Sequence, residues 1–308
     1  MDWTLALAAL GIGIVVGLTG MGGGALMTPV LVLFFGVPPL AAVSSDLVAS
    51  AVMRPVGAAV HLRNGTVRMD LVRWLCIGSV PAAFAGVLVA RALGHGSGVE
   101  NVIQKALGAA LVIAAAGLFV RAYLRLAERA RNRDGSRPAD PVGPPSLVLR
   151  QVPTLLVGVI GGLIVGMTSV GSGSLIIIAL MLLYPTLRAS ELVGTDLVQA
   201  VPLIASAAIG HLIFGDLQLN ITGALLLGSI PGAFIGAQLS VRLSGALIRR
   251  ALAFVLLASA LKLFGASTPI TGVVLGALLL LAGPVWMALR HVHGFAALPS
   301  REKELVPA

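Results

Sequence analysis

Two short strings interrupt apolar sequence with residues able to hold an anion. They are Gly20-Met21-Gly22-Gly23-Gly24 and Gly166-Met167-Thr168-Ser169-Val170-Gly171-Ser172-Gly173. A helix that begins after Gly24 or Gly173 leaves backbone N–H groups unpaired at its N-terminus, and their partial positive charge suits an anion. Glycine lets a ligand approach the backbone, so Gly22, Gly23, Gly24, Gly171 and Gly173 are candidate substrate contacts. Thr19, Thr168, Ser169, Ser172 and Ser174 add hydroxyl donors. No Gly-Lys-Ser/Thr follows either string, which argues against a nucleotide phosphate loop. Tight helix packing through glycine is the competing reading.

The segment Ala41–Leu62 reads as an apolar helix that nonetheless carries Asp46, Arg54 and His61. At about 100° per residue, Arg54 falls about 80° and His61 about 60° from Asp46, so the three share one face. A second segment repeats the aspartate and the histidine at the same separation, as Asp196 and His211, with Gln199 nearby. Charges inside hydrocarbon are costly and face a cavity or a partner. The functional reading gives Asp46 and Asp196 a proton- or cation-coupling role, with His61 and His211 as further coupling candidates. Arg54 and Gln199 would then meet an anionic substrate. The plainer reading is an Asp46–Arg54 ion pair that fixes helix positions, with two interfacial histidines near helix ends. Pro55, Pro81, Pro202 and Pro231 lie within helical runs and predict kinks or unwound turns. The expectation is strongest where Gly78-Ser79-Val80-Pro81 is duplicated as Gly228-Ser229-Ile230-Pro231.

Catalysis finds no comparable pattern. The chain has no His-Glu-x-x-His, no Gly-x-Ser-x-Gly and no Cys/His cluster, so it reads as a non-enzyme with no metal and no cofactor. Its single cysteine, Cys76, excludes a disulfide or a Cys-based metal site within one chain. An intramembrane hydrolase using Ser45 or Ser172 with His61 is an alternative that no motif nominates.

What must position these residues is a membrane. The 308 residues are 57% hydrophobic and only 11% charged, far too little charge for a soluble domain of this size. A net charge of +9 reads as arginine-rich cytoplasmic loops rather than a nucleic-acid surface, since no basic face or aromatic platform accompanies it. Leu5–Phe35 carries no charge, is longer than the roughly 20 residues of one crossing, and is glycine-rich at its middle. It reads as two short helices, Leu5–Leu18 and Ala25–Phe35, meeting at a break. Two such interrupted hairpins in one chain point to a transporter. Met1-Asp2-Trp3 lacks the basic stretch of a cleavable signal, so the first segment is expected to be retained.

The second half replays the first at an offset of about 150 residues. Ser45-Asp46-Leu47-Val48 returns as Thr195-Asp196-Leu197-Val198, and His61-Leu62 as His211-Leu212. Further spans are expected at Leu71–Ala90, Val102–Val120, Ile221–Val241 and Leu247–Leu263, with a last helix, Ile270–Leu289, that has no counterpart in the first half. Between the halves runs a polar stretch with Arg121, Arg125, Arg129, Arg131, Arg133 and Arg137, followed by prolines. The expected fold class is therefore all-α integral membrane. Residues 1–122 form a first repeat, 123–150 a cytoplasmic Arg/Pro-rich linker, 151–265 a second repeat, and 266–308 an extra transmembrane helix and cytoplasmic tail. Placing arginines inside puts the N-terminus outside and the C-terminus in the cytoplasm. Equivalent loops of the halves then face opposite sides, which makes two inverted-topology repeats, each an interrupted or re-entrant hairpin plus three spans. The expected partners are the lipid bilayer and a small anionic substrate, with no nucleic acid; a homo-oligomer is left open.

The glycine break, the Ser-Asp-Leu and Gly-Thr-Asp-Leu helices, the histidines that follow and the doubled Gly-Ser-Val/Ile-Pro resemble the sulfite exporter TauE/SafE family over about Leu5–Gly265. The resemblance implies a bacterial inner-membrane permease for sulfite, sulfonates or related small sulfur-containing anions. In the family pattern the second hairpin is richer in glycine where this chain has Ser169 and Ser172. Gln199 stands where histidine is expected, and Arg54 where lysine is common. The expected function is secondary export of a small anion by alternating access in the plasma membrane, with substrate between Gly22–Ala25 and Gly171–Ser174. An anion channel built on the same hairpins is the alternative.

Overall fold

The computed structural model describes residues 3–19, 23–92, 97–133, 148–185, 187, 189–240, 245–293 and 295. Gly20, Met21 and Gly22 of the first break lie outside them, as do residues 134–147 of the linker and the tail from residue 296. All the regular elements among the described residues are helices. The first five are α1 (Trp3–Thr19), α2 (Gly24–Phe34), α3 (Pro39–Arg63), α4 (Met69–Ala92) and α5 (Ser97–Arg133). Their counterparts are α6 (Gln151–Thr168), α7 (Leu175–Leu183), α8 (Ala189–Phe214), α9 (Leu219–Ser240) and α10 (Gly245–Leu263), and α11 (Thr268–Val292) closes the chain.

Six of the described helices contain a stretch long and apolar enough to cross a membrane. The chain is a multi-pass membrane protein. α3 falls short of that measure, as a helix bearing Asp46, Arg54 and three serines must. At 1.5 Å per residue α2 and α7 are only about 16 and 14 Å long, half of a hydrocarbon core of about 30 Å. Neither can cross by itself. α11 is apolar along its length and almost wholly uncovered, as a helix facing lipid tails should be. The Arg250 guanidinium over the Trp286 ring ties it to α10, and an edge contact of Tyr123 with His293 ties it to α5.

Two expectations are corrected. Residues 123–133, placed in the linker, instead continue α5. Ala, Leu, Arg and Glu dominate this stretch and are strong helix formers, so the change to polar sequence marks exit from the hydrocarbon rather than the end of the helix. The Gly-Ser-x-Pro segments also fail to unwind, and α4 and α9 run unbroken through Pro81 and Pro231, as does α3 through Pro55 and α8 through Pro202. The glycines of these segments serve packing. Gly228, Gly232 and Gly236 on α9 bear on the backbone of Ala6, Leu10 and Ile14 on α1. Gly158, Gly162 and Gly166 on α6 likewise bear on Leu75, Ser79 and Ala83 on α4. A Cβ on Gly162 would stand 2.8 Å from Ser79 Cα, so only glycine permits such close backbone contact between helices. Residue numbers rise together along both partners, so each pair is parallel.

Exchanging the two halves turns the α1–α9 pair into α6–α4. It leaves two further pairs, α3–α8 and α5–α10, unchanged. α3 and its counterpart α8 run antiparallel. Ser44, near the start of α3, bonds His211 near the end of α8 at 2.8 Å. At the other end, the Arg68 N–H donates to Thr195 Oγ1 at 3.1 Å and its guanidinium pairs with Glu191 at 3.8 Å. α3 and α8 therefore form an antiparallel spine, flanked on each side by one half-length hairpin arm.

Candidate functional site

Asp46 is where the two hairpins converge. Its carboxylate is buried in the second turn of α3. Oδ2 accepts from Thr28 Oγ1 on α2 at 3.1 Å and from Ser169 Oγ at the second break at 2.5 Å. Gly23 lies beside Oδ1 and Ser50 Oγ. Gly24 meets Ser169 itself: a Cβ there would stand 2.6 Å from Ser169 Oγ and would overlap the Ser169 carbonyl. Breaks from opposite halves of the chain thus touch each other and share one carboxylate.

The second break is built by residues that accept left-handed backbone. Ser169 caps α6 at φ 60°, its N–H donating to Val165 O at 2.7 Å. Gly171 and Gly173 follow at φ 137° and 90°, which glycine adopts without strain. Thr168 Oγ1 donates to Ile164 O at 2.7 Å and braces Val170 at 3.2 Å. That bracing makes Thr168 a support for the loop. The expectation of free amides fails in this hairpin, because the N–H groups of Ser174, Leu175 and Ile176 all turn back on Gly171 O. Ser172 Oγ, by contrast, is buried with no hydrogen-bond partner among the described residues. Ser174 is buried beside it in the chain. Of the first-hairpin candidates, Gly22 lies outside the described residues, and so does the side chain of Thr19.

Arg54 lies two turns along α3 from Asp46, 7% exposed, and within electrostatic range of both Asp196 and Asp46. Its Nε and Nη1 have no hydrogen-bond partner among the described residues. The plainer reading of an Asp46–Arg54 ion pair is thus met by electrostatic proximity and not by a bond to Nε or Nη1. On α8, Gln199 Nε2 donates to Asp196 Oδ1 at a long 3.4 Å, and its Oε1 accepts from Ser79 Oγ at 3.1 Å. Asp196 and Gln199 are buried. Asp46, Arg54, Asp196 and Gln199 thus form one interior polar group along the α3–α8 spine. The two histidines stand apart from it. His61 bonds Thr66 Oγ1 at 2.9 Å beyond the end of α3, and His211 is held at the opposite end of the spine.

Thr28, Ser50 and Ser79 escaped the sequence reading. Ser50 carried a usable signal, since it follows Asp46 by one helical turn. Thr28 and Ser79 reach the site through tertiary packing. Two surface hollows lie at opposite ends of the spine, one lined by Arg68, Asp70, Arg73 and Trp74 and the other by Phe35, Val37, Pro38 and Asn220. Neither is lined by the interior polar group.

This arrangement of paired breaks on an antiparallel spine spans the same residues as a known family. The model of the sulfite exporter TauE/SafE family matches residues 5–263. The chain belongs to that family. "Probable membrane transporter protein YjnA" of Bacillus subtilis (strain 168) is 39% identical over 265 residues, covering 85% of this chain and 100% of the relative. "Probable membrane transporter protein YdhB" of the same organism is 25% identical over 227 residues, covering 74% of this chain and 85% of the relative. No solved structure matches. The TauE/SafE match ends where α10 ends, so α11 lies beyond it.

Proposed function

We propose that this TauE/SafE chain is a secondary transporter that exports a small anion, sulfite, a sulfonate or a related sulfur compound, by alternating access. Membership of the family and the names of both relatives support membrane transport. The observation that carries the anion reading is Arg54, a buried guanidinium with two unbonded nitrogens. Buried donors left without acceptors are costly, and an anion received between the hairpin tips would accept from them, with Ser172 Oγ as a further donor. Gln199 would complete the polar wall. The antiparallel spine and the hollows at its two ends support inverted-topology repeats that open to opposite faces in turn. The burial of the site favours a carrier over an open channel. In this reading the N-terminus is outside and the C-terminus is cytoplasmic, in the bacterial inner membrane.

Charge counting supports proton coupling. Asp46, Asp196 and Arg54 together carry one net negative charge with both carboxylates ionised, and a bound monoanion would add a second. A charge placed at mid-membrane costs about 3 kcal/mol, so one proton on Asp46 or Asp196 restores the count. Loaded and empty carriers then carry equal charge, the anion and the proton cross together, and net export requires an outward anion gradient that outweighs any inward proton gradient.

The test is uptake of labelled sulfite into proteoliposomes, with and without a pH gradient, for the wild type and Asp46→Asn. Saturable uptake that responds to the gradient only in the wild type, with counterflow kept in the variant, agrees with the proposal. Uptake equal to that of empty liposomes removes sulfite as the cargo. Gradient-driven uptake undiminished in Asp46→Asn removes Asp46 from coupling.

A further inference from the structure

We propose that His211 is a proton-binding site, held in this conformation as a buried imidazolium that latches α8 and α3 to the base of the second hairpin. The inference rests on a chain of three contacts whose ends are both acceptors. Ser44 Oγ lies 2.8 Å from Leu40 O and 2.8 Å from His211 Nδ1, and His211 Nε2 lies 2.8 Å from Gly166 O. Leu40 O and Gly166 O are backbone carbonyls and can only accept. Three links therefore need three protons. The serine hydroxyl supplies one and a neutral imidazole supplies one more. Only an imidazolium completes the set, with Nε2–H donating to Gly166 O, Nδ1–H donating to Ser44 Oγ, and Ser44 O–H donating to Leu40 O. A neutral ring leaves two oxygens, or a nitrogen and an oxygen, facing each other at 2.8 Å with no proton between them.

The surroundings fit a ring held in one place. His211 is fully buried, and Gly215 closes over the contact, since a Cβ there would stand 2.7 Å from Ser44 Oγ and 2.8 Å from Nδ1. The charged groups of the neighbouring elements are few. α6 and α7 have none. α4 brings Arg91, whose guanidinium lies 4.6 Å from the centre of the Phe214 ring, within one turn of His211. α3 has Asp46, two residues past Ser44 and bonded into the hairpin tips. On its own chain, Asp216 follows α8 at the exposed surface, while Glu191 and Asp196 lie four or more turns away. No carboxylate neutralises the ring directly in this set. Its proton is held by the three-link chain.

The pseudo-symmetric position lacks the device. His61 is the counterpart of His211, but Gly194 stands where Ser44 does, and His61 bonds Thr66 instead. The latch therefore belongs to one end of the spine. Gly166 lies three residues before the αL residue Ser169 that grips Asp46, so a movement that parts α8 from α6 breaks the Gly166 link. Loss of the proton and opening of that end favour each other. This goes beyond the anion site and stands whatever the cargo is.

The test is nitrogen-15 NMR of histidine side chains in the full-length protein in nanodiscs, with His211 assigned by the signal lost in His211→Gln. The expected result at neutral pH is a directly bonded proton on both ring nitrogens. Ser44→Ala removes the need for the third proton, so its His211 is expected to show a single N–H at a pH where the wild type shows two. Gly215→Ala wedges the same contact and is expected to act alike, which keeps the comparison open if one variant misfolds. A wild-type ring with one proton at every pH at which the protein is folded overturns the proposal. So does a doubly protonated ring that persists unchanged in both variants.

Discussion

Replacing Arg54 by glutamine tests the proposed anion site. The guanidinium presents Nε and Nη1 with no hydrogen-bond partner among the described residues, so an anion that enters can gain two charge-assisted bonds. Such bonds are worth about 1.5–3 kcal/mol each. Losing both weakens binding by roughly two to four orders of magnitude, at about 1.4 kcal/mol per tenfold. Arg54→Lys keeps the charge but not the planar fork, and its loss is expected to be about tenfold. Two assays read the effect. Counterflow of labelled sulfite in proteoliposomes gives the half-saturating concentration. Thermal unfolding of the purified protein against sulfite concentration gives the affinity without transport, because a ligand that binds only the folded state stabilises it in proportion to the logarithm of its concentration. The expected order is wild type, then Arg54→Lys, then Arg54→Gln, in both assays. An Arg54→Gln protein with wild-type half-saturation and wild-type stabilisation by sulfite would falsify the assignment of Arg54 to the anion. An Arg54→Gln protein that responds normally to neither assay but unfolds at the wild-type temperature without ligand supports it.

Two further outcomes concern the frame. Ser169 combines a left-handed backbone with a bond to Asp46. Ser169→Gly loses the bond but relieves the backbone, whereas Ser169→Ala loses the bond and keeps the strain. Thermal unfolding is expected to place alanine below glycine by about 1 kcal/mol, and equal stabilities would remove strain from the account. Gly162→Ala forces a Cβ into the Ser79 backbone and is expected to cost about 1–3 kcal/mol through overpacking. Gly276→Ala, with nothing within 4 Å on the uncovered α11, is expected to cost nothing and to gain up to about 1 kcal/mol of helix propensity. Similar yields and melting temperatures for the two variants would show that the α4–α6 backbones leave room for a Cβ.

Much of this frame was legible because the chain says everything twice. Periodicity put Asp46, Arg54 and His61 on one helix face, and the repeat put Asp196 and His211 on another. Hydrophobic runs with glycine at their centres gave the arms of the first hairpin within two residues of α1 and α2, and placed the start of α7 just after Gly173. What helical arithmetic could not supply was which face meets which tip. The bond from Ser169 to Asp46 joins residues far apart in the chain, and no local pattern announces it. The duplicated Gly-Ser-x-Pro misled because proline's local preference is overridden where a parallel neighbour packs along the whole glycine face. The linker misled because polarity and helicity are different properties, and arginine ends an apolar run while favouring a helix.

The most useful signal lay in the departures from the repeat. At an offset of about 150 residues, Arg54 corresponds to Ile204, Gln199 to Ala49, Ser50 to Ala200 and Ser44 to Gly194. A frame with two matching halves could hold two equivalent sites or one shared site. Two sites would need the polar residues duplicated with the glycines and prolines, and they are not. The aspartates are paired, but the cation comes from one half and the amide from the other. Under the proposed function, residues that share one spine and occur once each would make a single site contributed to by both halves. A carrier that turns each half in opposite senses about one bound anion requires that arrangement.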